Sequence, residues 1–374
     1  HRTSGAARAS LEDVSDDAQR TYFCLDGMRG VAALAVLTAH AAMLFQHTLR
    51  QFYLAVDFFF VLSGFVLAYA YSARLAAGMP AREFIIARLV RIYPLYLIAT
   101  LIGLAHAALS PNSAEAAPLP VLLGQLALAL FFVPAPALTP GHWLYPLVDP
   151  GWSLLFELLG NIVFGLLWLR LHRSRPGLAL LIGCSAIALL YCGFSFGTFD
   201  LGATSGDAWA AVPRVLYSFF AGVCLYQWHR RHPAPLRIDS WLLLAALTVA
   251  LALHFPSRTL DLAYQYAMIV LGFPLLVYLG ASSTPSARAA PLFHLLGVTS
   301  YAVYVLHVPL FFCLRDSSAH FGWNLAAYAP WSGLAFIAAL LAFCVAIDRW
   351  YDVPLRRWLN QLRRTRPLAV RAAS

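Results

Sequence analysis

Long apolar stretches recur along nearly the whole chain, separated by short polar connections. Eleven can be read, at about 28–47, 51–72, 90–110, 119–134, 151–171, 178–197, 209–229, 240–255, 262–280, 292–314 and 331–350. A helix of about 20 apolar residues crosses a hydrocarbon core of about 30 Å. Barrel strands would instead show short alternating segments. The pattern therefore predicts an all-α, polytopic membrane helix bundle. Segment 119–134 is the weakest, being short and bounded by Pro118, Pro120, Pro134 and Pro136. It reads as a re-entrant or interfacial piece, which leaves about ten transmembrane helices.

Charge supports that count. The chain of 374 residues is 61% hydrophobic and only 11% charged, and its net charge of +9 comes from arginine without any lysine. If all eleven segments crossed, the cluster Arg74, Arg82, Arg88 and Arg91 would face away from Arg230, Arg231 and Arg237 and from the tail Arg356, Arg357, Arg363 and Arg364. With ten crossings every large cluster falls on one side, the cytoplasmic one by the positive-inside rule. Both termini are then expected in the cytoplasm. The arginines read as topology signals and lipid-headgroup contacts rather than as a nucleic-acid surface. Six scattered cysteines show neither metal spacing nor a disulfide framework, so no metal is expected. Residues 1–20 read as a disordered polar tail, 21–360 as one membrane domain and 361–374 as a basic tail.

Polar groups inside the apolar stretches carry the candidate chemistry, because such groups are costly in a membrane. Arg29 and His40 are eleven residues apart, about three helical turns, so they share a face and sit roughly 16 Å apart along the axis. The second span returns from outside, which puts Asp57 at a depth similar to His40. A His–Asp dyad is one reading, with Asp57 fixing the imidazole tautomer; a polar pair that satisfies itself between helices is the other. Ser153, Glu157 and Asn161 follow i, i+4, i+8 on one face. Ser300, Tyr304 and His307 form another stripe, beside Tyr301. Interhelical hydrogen bonding would explain each stripe separately, but shared depth favours a lined cavity. Arg88 and Arg91 are i, i+3 neighbours at the inner end of the third span. They read either as snorkelling orientation signals or, with Arg29, as a phosphate clamp. The other histidines, His106 and His229 among them, read as interfacial or loop residues.

These residues fall in a set of ordered motifs: Leu25-Asp-Gly-Met-Arg29-Gly-Val-Ala-Ala with His40 following, Val56-Asp57-Phe-Phe-Phe-Val-Leu-Ser-Gly-Phe65, Arg88-Leu-Val-Arg91-Ile-Tyr-Pro94, Trp152-Ser-Leu-Leu-Phe-Glu157, and Ser300-Tyr301-Ala-Val-Tyr304-Val-Leu-His307. Over about residues 22–358 the chain resembles the family-3 membrane acyltransferases, which mostly O-acetylate glycans and also acylate some antibiotics and lipids. The resemblance implies that His40 is essential, that Arg29 belongs to the same motif, and that the donor is an acyl-coenzyme A on the cytoplasmic side. One departure is Asp352 before Pro354, where the pattern leads one to expect a glutamate.

The combined expectation is an O-acyltransferase of the bacterial cytoplasmic membrane. It would move an acyl group, acetyl in the first instance, from acetyl-CoA or another acyl-CoA to a hydroxyl of an envelope or exported polysaccharide, free or lipid-linked. His40 would act as general base or acyl carrier, with Asp57 orienting it and Glu157 assisting. Arg29, Arg88 and Arg91 would hold the donor's phosphates. Trp152, Ser300, Tyr301, Tyr304 and His307 would contact the acceptor. A small-molecule acceptor such as a macrolide is an alternative. A lipid-linked sugar transporter is another, although neither an internal repeat nor matched broken helices favour it.

Overall fold

The structure, a computed structural model, describes residues 22–46, 49–110, 113–234 and 237–365. The expected polar tail 1–20 and the end of the basic tail lie outside the described residues. Thirteen α-helices make up the fold: α1 Phe23–His40, α2 Ala55–Ala76, α3 Ala81–Leu109, α4 Leu119–Leu130, α5 Gly151–Arg173, α6 Arg175–Phe196, α7 Ala211–Arg231, α8 Ser240–Ala252, α9 Arg258–Ala267, α10 Phe273–Ser282, α11 Ala290–His320, α12 Trp331–Ile347 and α13 Val353–Thr365. Single π-helical turns, Met268–Gly272 and Asp348–Asp352, join α9 to α10 and α12 to α13. Among the described residues there is no strand, only one bridge between Trp143 and Thr204.

Among the described residues, eight stretches are long and apolar enough to cross a membrane, against the ten expected. The remaining two are α1, which carries Asp26, Arg29 and His40 within 18 residues, and α8, which has 13 residues. At 1.5 Å per residue α8 spans only about 20 Å.

Close helix approach is built on small residues, as expected where lipid removes most of the hydrophobic driving force between helices. Gly30 of α1 lies against Leu296 of α11, and Gly64 of α2 lies against the backbone of Phe219 in α7, leaving no room for a side chain at either glycine. α1 and α11 run parallel, because Gly27 meets Phe293 near one end and His40 meets His307 at the other. α3 and α5 run antiparallel: Gly103 meets Leu147, Arg88 meets Glu157 and Phe84 meets Gly165.

That antiparallel pair decides the behaviour of α4. Its last carbonyls, Ala129 and Leu130, accept hydrogen bonds from Tyr96 and Tyr93 of α3 at 3.0 Å each. The chain then doubles back. Gln125 donates to the Leu138 carbonyl at 2.8 Å, and the Tyr145 hydroxyl donates to the Phe132 carbonyl at 2.6 Å. The segment re-emerges at the end it entered, so α5 starts beside His40. Twelve residues of helix cover only about 18 Å, too little for a crossing.

Candidate active site

His40 is the last residue of α1, and its ring is met from three directions. Its Nδ1 lies 2.9 Å from the Val36 carbonyl and 3.3 Å from Nε2 of His307. Its Nε2 lies 3.3 Å from a carboxylate oxygen of Asp149. The Nδ1 atom of His307 faces two backbone carbonyls, Val303 at 3.0 Å and Tyr304 at 2.8 Å. A nitrogen among carbonyls carries a proton. His307 is therefore protonated at Nδ1 and offers a lone pair at Nε2. That lone pair and the Val36 carbonyl place the proton of neutral His40 on Nδ1. Its Nε2 faces the Asp149 carboxylate, which stabilises a proton on that nitrogen.

The acid beside the His40 ring is Asp149; Asp57, expected there, lies with Arg214 instead. Asp57 is wholly buried in a two-point ion pair with Arg214 of α7, Nη2 to Oδ2 at 2.7 Å and Nε to Oδ1 at 3.3 Å. Arg214 also donates to the carbonyls of Leu201 and Tyr53 and lies 5.6 Å from the Trp152 ring centre. The pair ties α2, α5, α7 and the 200–201 loop together. Neither Asp149 nor Arg214 was among the sequence candidates. Each left a signal: an arginine inside segment 209–229, and an acid just ahead of Pro150-Gly151-Trp152 at the same end of the bundle as His40.

Two cavities share Val56 and Tyr304 as walls, and His40 lines one of them. One, of about 220 Å³, is lined by Arg29, Arg88, Arg91, Glu157, Ser300 and Tyr301. Arg29 is lashed to α11, donating to Ser300 Oγ at 2.8 Å and to the Gly297 carbonyl at 2.6 Å, with Asp26 at 3.1 Å. Arg88 reaches Glu157 at 3.4 Å, and its Nε is buried without a hydrogen-bond partner. Ser63 also donates to Glu157, at 2.8 Å. Arg91 lies 5.3 Å from the Tyr301 ring centre and 3.6 Å from Asp352. Asp352, the shorter acid that departs from the expected pattern, is buried and also pairs with Arg356 at 2.8 Å. The π-turn that carries it brings it to the arginine wall. Ser300, Tyr301 and Glu157 therefore line the arginine cavity and not the cavity that His40 lines, because the packing of Arg29 against α11 brings Ser300 with it.

The second cavity, of about 510 Å³, is a vestibule at the His40 end, lined by Asp149, Trp152, Asp200, Trp143, Gln125 and Glu115 among others. Tyr304 and Val56 line both cavities, and Tyr304 shares a 2.6 Å hydrogen bond with Ser153 at the junction. Of the expected acceptor residues, Trp152 and Tyr304 reach the vestibule, while His307 acts from behind, buried against His40. Shelter from solvent raises the Asp200 carboxyl above the usual carboxylate range; Arg214 opposes this and the charge of Asp149 adds to it.

Two histidines read as interfacial are buried, His106 and His229. His106 bonds Asp316 at 2.8 Å. The ligand atoms of His106, Glu115 and Asp316 lie within 4.8 Å of one another, a spacing that could hold a cation. Arg315 already bonds both carboxylates, at 2.8 Å and 2.6 Å, so their charge is largely matched and the cluster acts as a clasp between loop 113–117 and α11.

A family model described as an acyltransferase domain, the acyltransferase 3 type, matches residues 22–349. The chain belongs to this acyltransferase family. It is an O-acyltransferase by that membership, as the motif resemblance implied. Protein 2 in the picA locus of Rhizobium radiobacter is 37% identical over 194 residues, covering 49% of this chain and all of that protein. The exopolysaccharide production protein ExoZ of Rhizobium meliloti is 29% identical over 325 residues, covering 85% of this chain and 94% of ExoZ. Acyltransferase MdmB of Streptomyces mycarofaciens is 27% identical over 392 aligned positions, covering 92% of this chain and 94% of MdmB. No solved structure matches the chain. Family membership and the long apolar helices together make this acyltransferase an integral membrane protein.

Proposed function

We propose that this acyltransferase moves an acetyl group from acetyl-CoA, held at the arginine cavity, to a hydroxyl of an exported polysaccharide in the vestibule. The observation that carries the reading is a cationic cavity and a separate vestibule that share Tyr304 and Val56 as walls, with His40 lining the vestibule. Arginine geometry suits phosphate oxygens, and the orphaned Nε of Arg88 is a donor awaiting an acceptor. The excess of arginine at that end argues for a cytoplasmic orientation in a bacterial inner membrane. The likeness to an exopolysaccharide production protein supports a polysaccharide acceptor.

In this mechanism the acceptor hydroxyl oxygen attacks the thioester carbonyl while its proton passes to His40 Nε2. Asp149 stabilises the imidazolium, and His307 holds the ring in register. The carbon–sulfur bond then breaks, and the imidazolium returns the proton to the departing thiolate. A base positioned in this way contributes about 10²–10⁴-fold. The test uses purified protein in lipid nanodiscs with acetyl-CoA and a polysaccharide acceptor. Release of free thiol and a gain of one acetyl mass on the glycan are expected from the wild type. Both should vanish in His40→Ala, with its elution and melting profile unchanged. Full turnover by His40→Ala would remove the imidazole from the chemistry.

A further inference from the structure

The polar groups that the vestibule leaves open are mainly acceptors. Three ionisable acids line it, Glu115, Asp149 and Asp200, and among the described residues no arginine does. The guanidinium groups close by are committed elsewhere, Arg214 to Asp57 and Arg315 to Glu115 and Asp316. Gln125 adds an independent observation. It is 4% exposed, and its amide nitrogen is fixed on the Leu138 carbonyl at 2.8 Å. That bond fixes the amide orientation, and the side-chain oxygen is left buried without a donor. An unsatisfied buried acceptor costs about 1–3 kcal/mol, which a donor reaching Gln125 from the vestibule would offset. Three of the hydroxyls that line it are already spent. Tyr53 donates to Gln51 at 2.5 Å, Tyr145 to the Phe132 carbonyl, and Tyr304 is bonded to Ser153. Trp143 and Trp152 supply apolar faces of the kind on which the C–H face of a sugar ring packs.

We propose that the vestibule selects acceptors rich in hydrogen-bond donors and free of negative charge, namely neutral or amine-bearing sugars rather than uronates. This rests on the reading above that the acceptor occupies the vestibule, and it adds which sugars can. A uronate carboxylate there would face Asp149 and Asp200 in a partly dehydrated space, where like charges a few ångströms apart repel strongly. Hydroxyl or ammonium donors would instead satisfy Gln125 Oε1 and the free carboxylate oxygens.

The probes are methyl glucoside, methyl glucosaminide, methyl glucuronide and the methyl ester of that glucuronide. The last pair differs in charge with little change of shape. Binding to the full chain in nanodiscs is read by saturation-transfer NMR, and acetyl transfer from acetyl-CoA by mass spectrometry. The ester and the two sugars without a carboxyl group should bind, with the free glucuronide at least about tenfold weaker than its ester. The gap should narrow in Asp200→Asn, and Gln125→Leu should weaken every sugar. Equal binding of the glucuronide and its ester overturns the proposal, as does failure of all four sugars to bind. Charge-ranked binding without acetyl transfer upholds the selectivity and refutes the acetyl-CoA reading. Transfer that ignores charge does the reverse.

Discussion

Asp57 and Asp149 are both acids at the His40 end of the bundle, and the structure gives them different work. Asp57 has no exposed surface and makes two bonds to an equally buried Arg214. Replacing it with Asn keeps the shape but strands a guanidinium among apolar side chains. Breaking a buried pair from one side costs about 3–5 kcal/mol, a drop of roughly 5–10 °C in melting temperature. Removing both charges in Asp57→Leu/Arg214→Met should recover much of the loss, because hydrophobic replacement of a buried pair is often nearly neutral. Recovery stays incomplete where the Leu201 and Tyr53 carbonyls lose their donor. Asp149 is about one-third exposed and pairs with the His40 ring. Asp149→Asn should melt close to the wild type yet lose about 10²–10⁴-fold in turnover, because the imidazolium is no longer stabilised. Melting of the detergent-purified variants and acetyl transfer per folded molecule separate the two roles. If Asp57→Asn melts normally but is inactive while Asp149→Asn turns over normally, the assignment of the orienting acid is wrong.

Other outcomes follow from the same geometry. Arg88→Gln should raise the KM for acetyl-CoA about tenfold, with a much smaller effect for a short thioester lacking phosphates, as initial rates with the two donors would reveal. His307→Ala should lower kcat more than it raises KM, because it frees the His40 ring without touching either substrate; a pure KM effect would contradict the positioning role. Gly30→Val and Gly64→Leu should each abolish the folded, detergent-stable protein by forcing α1 from α11 or α2 from α7; size-exclusion profiles of the membrane extracts check this. Glu115→Gln should loosen loop 113–117 by breaking its bond to Arg315, seen as faster proteolysis of that loop, with little effect of the change on thermal stability.

The apolar periodicity alone determined a helical membrane protein, a short non-crossing segment near 119–134 and a set of polar faces at graded depth. Hydrophobic length and side-chain cost act locally, so they can be read without knowing any neighbour. For the same reason the sequence marked Arg29, Arg88 and Arg91 as one cationic end and His40 as a costly polar group above it. It could not assign partners. Depth along an axis makes Asp57 and Asp149 equivalent candidates for His40, and only the rotation of α2 toward α7 turns Asp57 to Arg214. Asp149 reaches the imidazole because the chain after α4 folds back through the bundle. Ser300 likewise sits with Arg29 because close packing at Gly30 and Gly297 fixes how α1 and α11 face each other. Pairing between helices depends on which small residues let two backbones approach, and that is a property of both surfaces together.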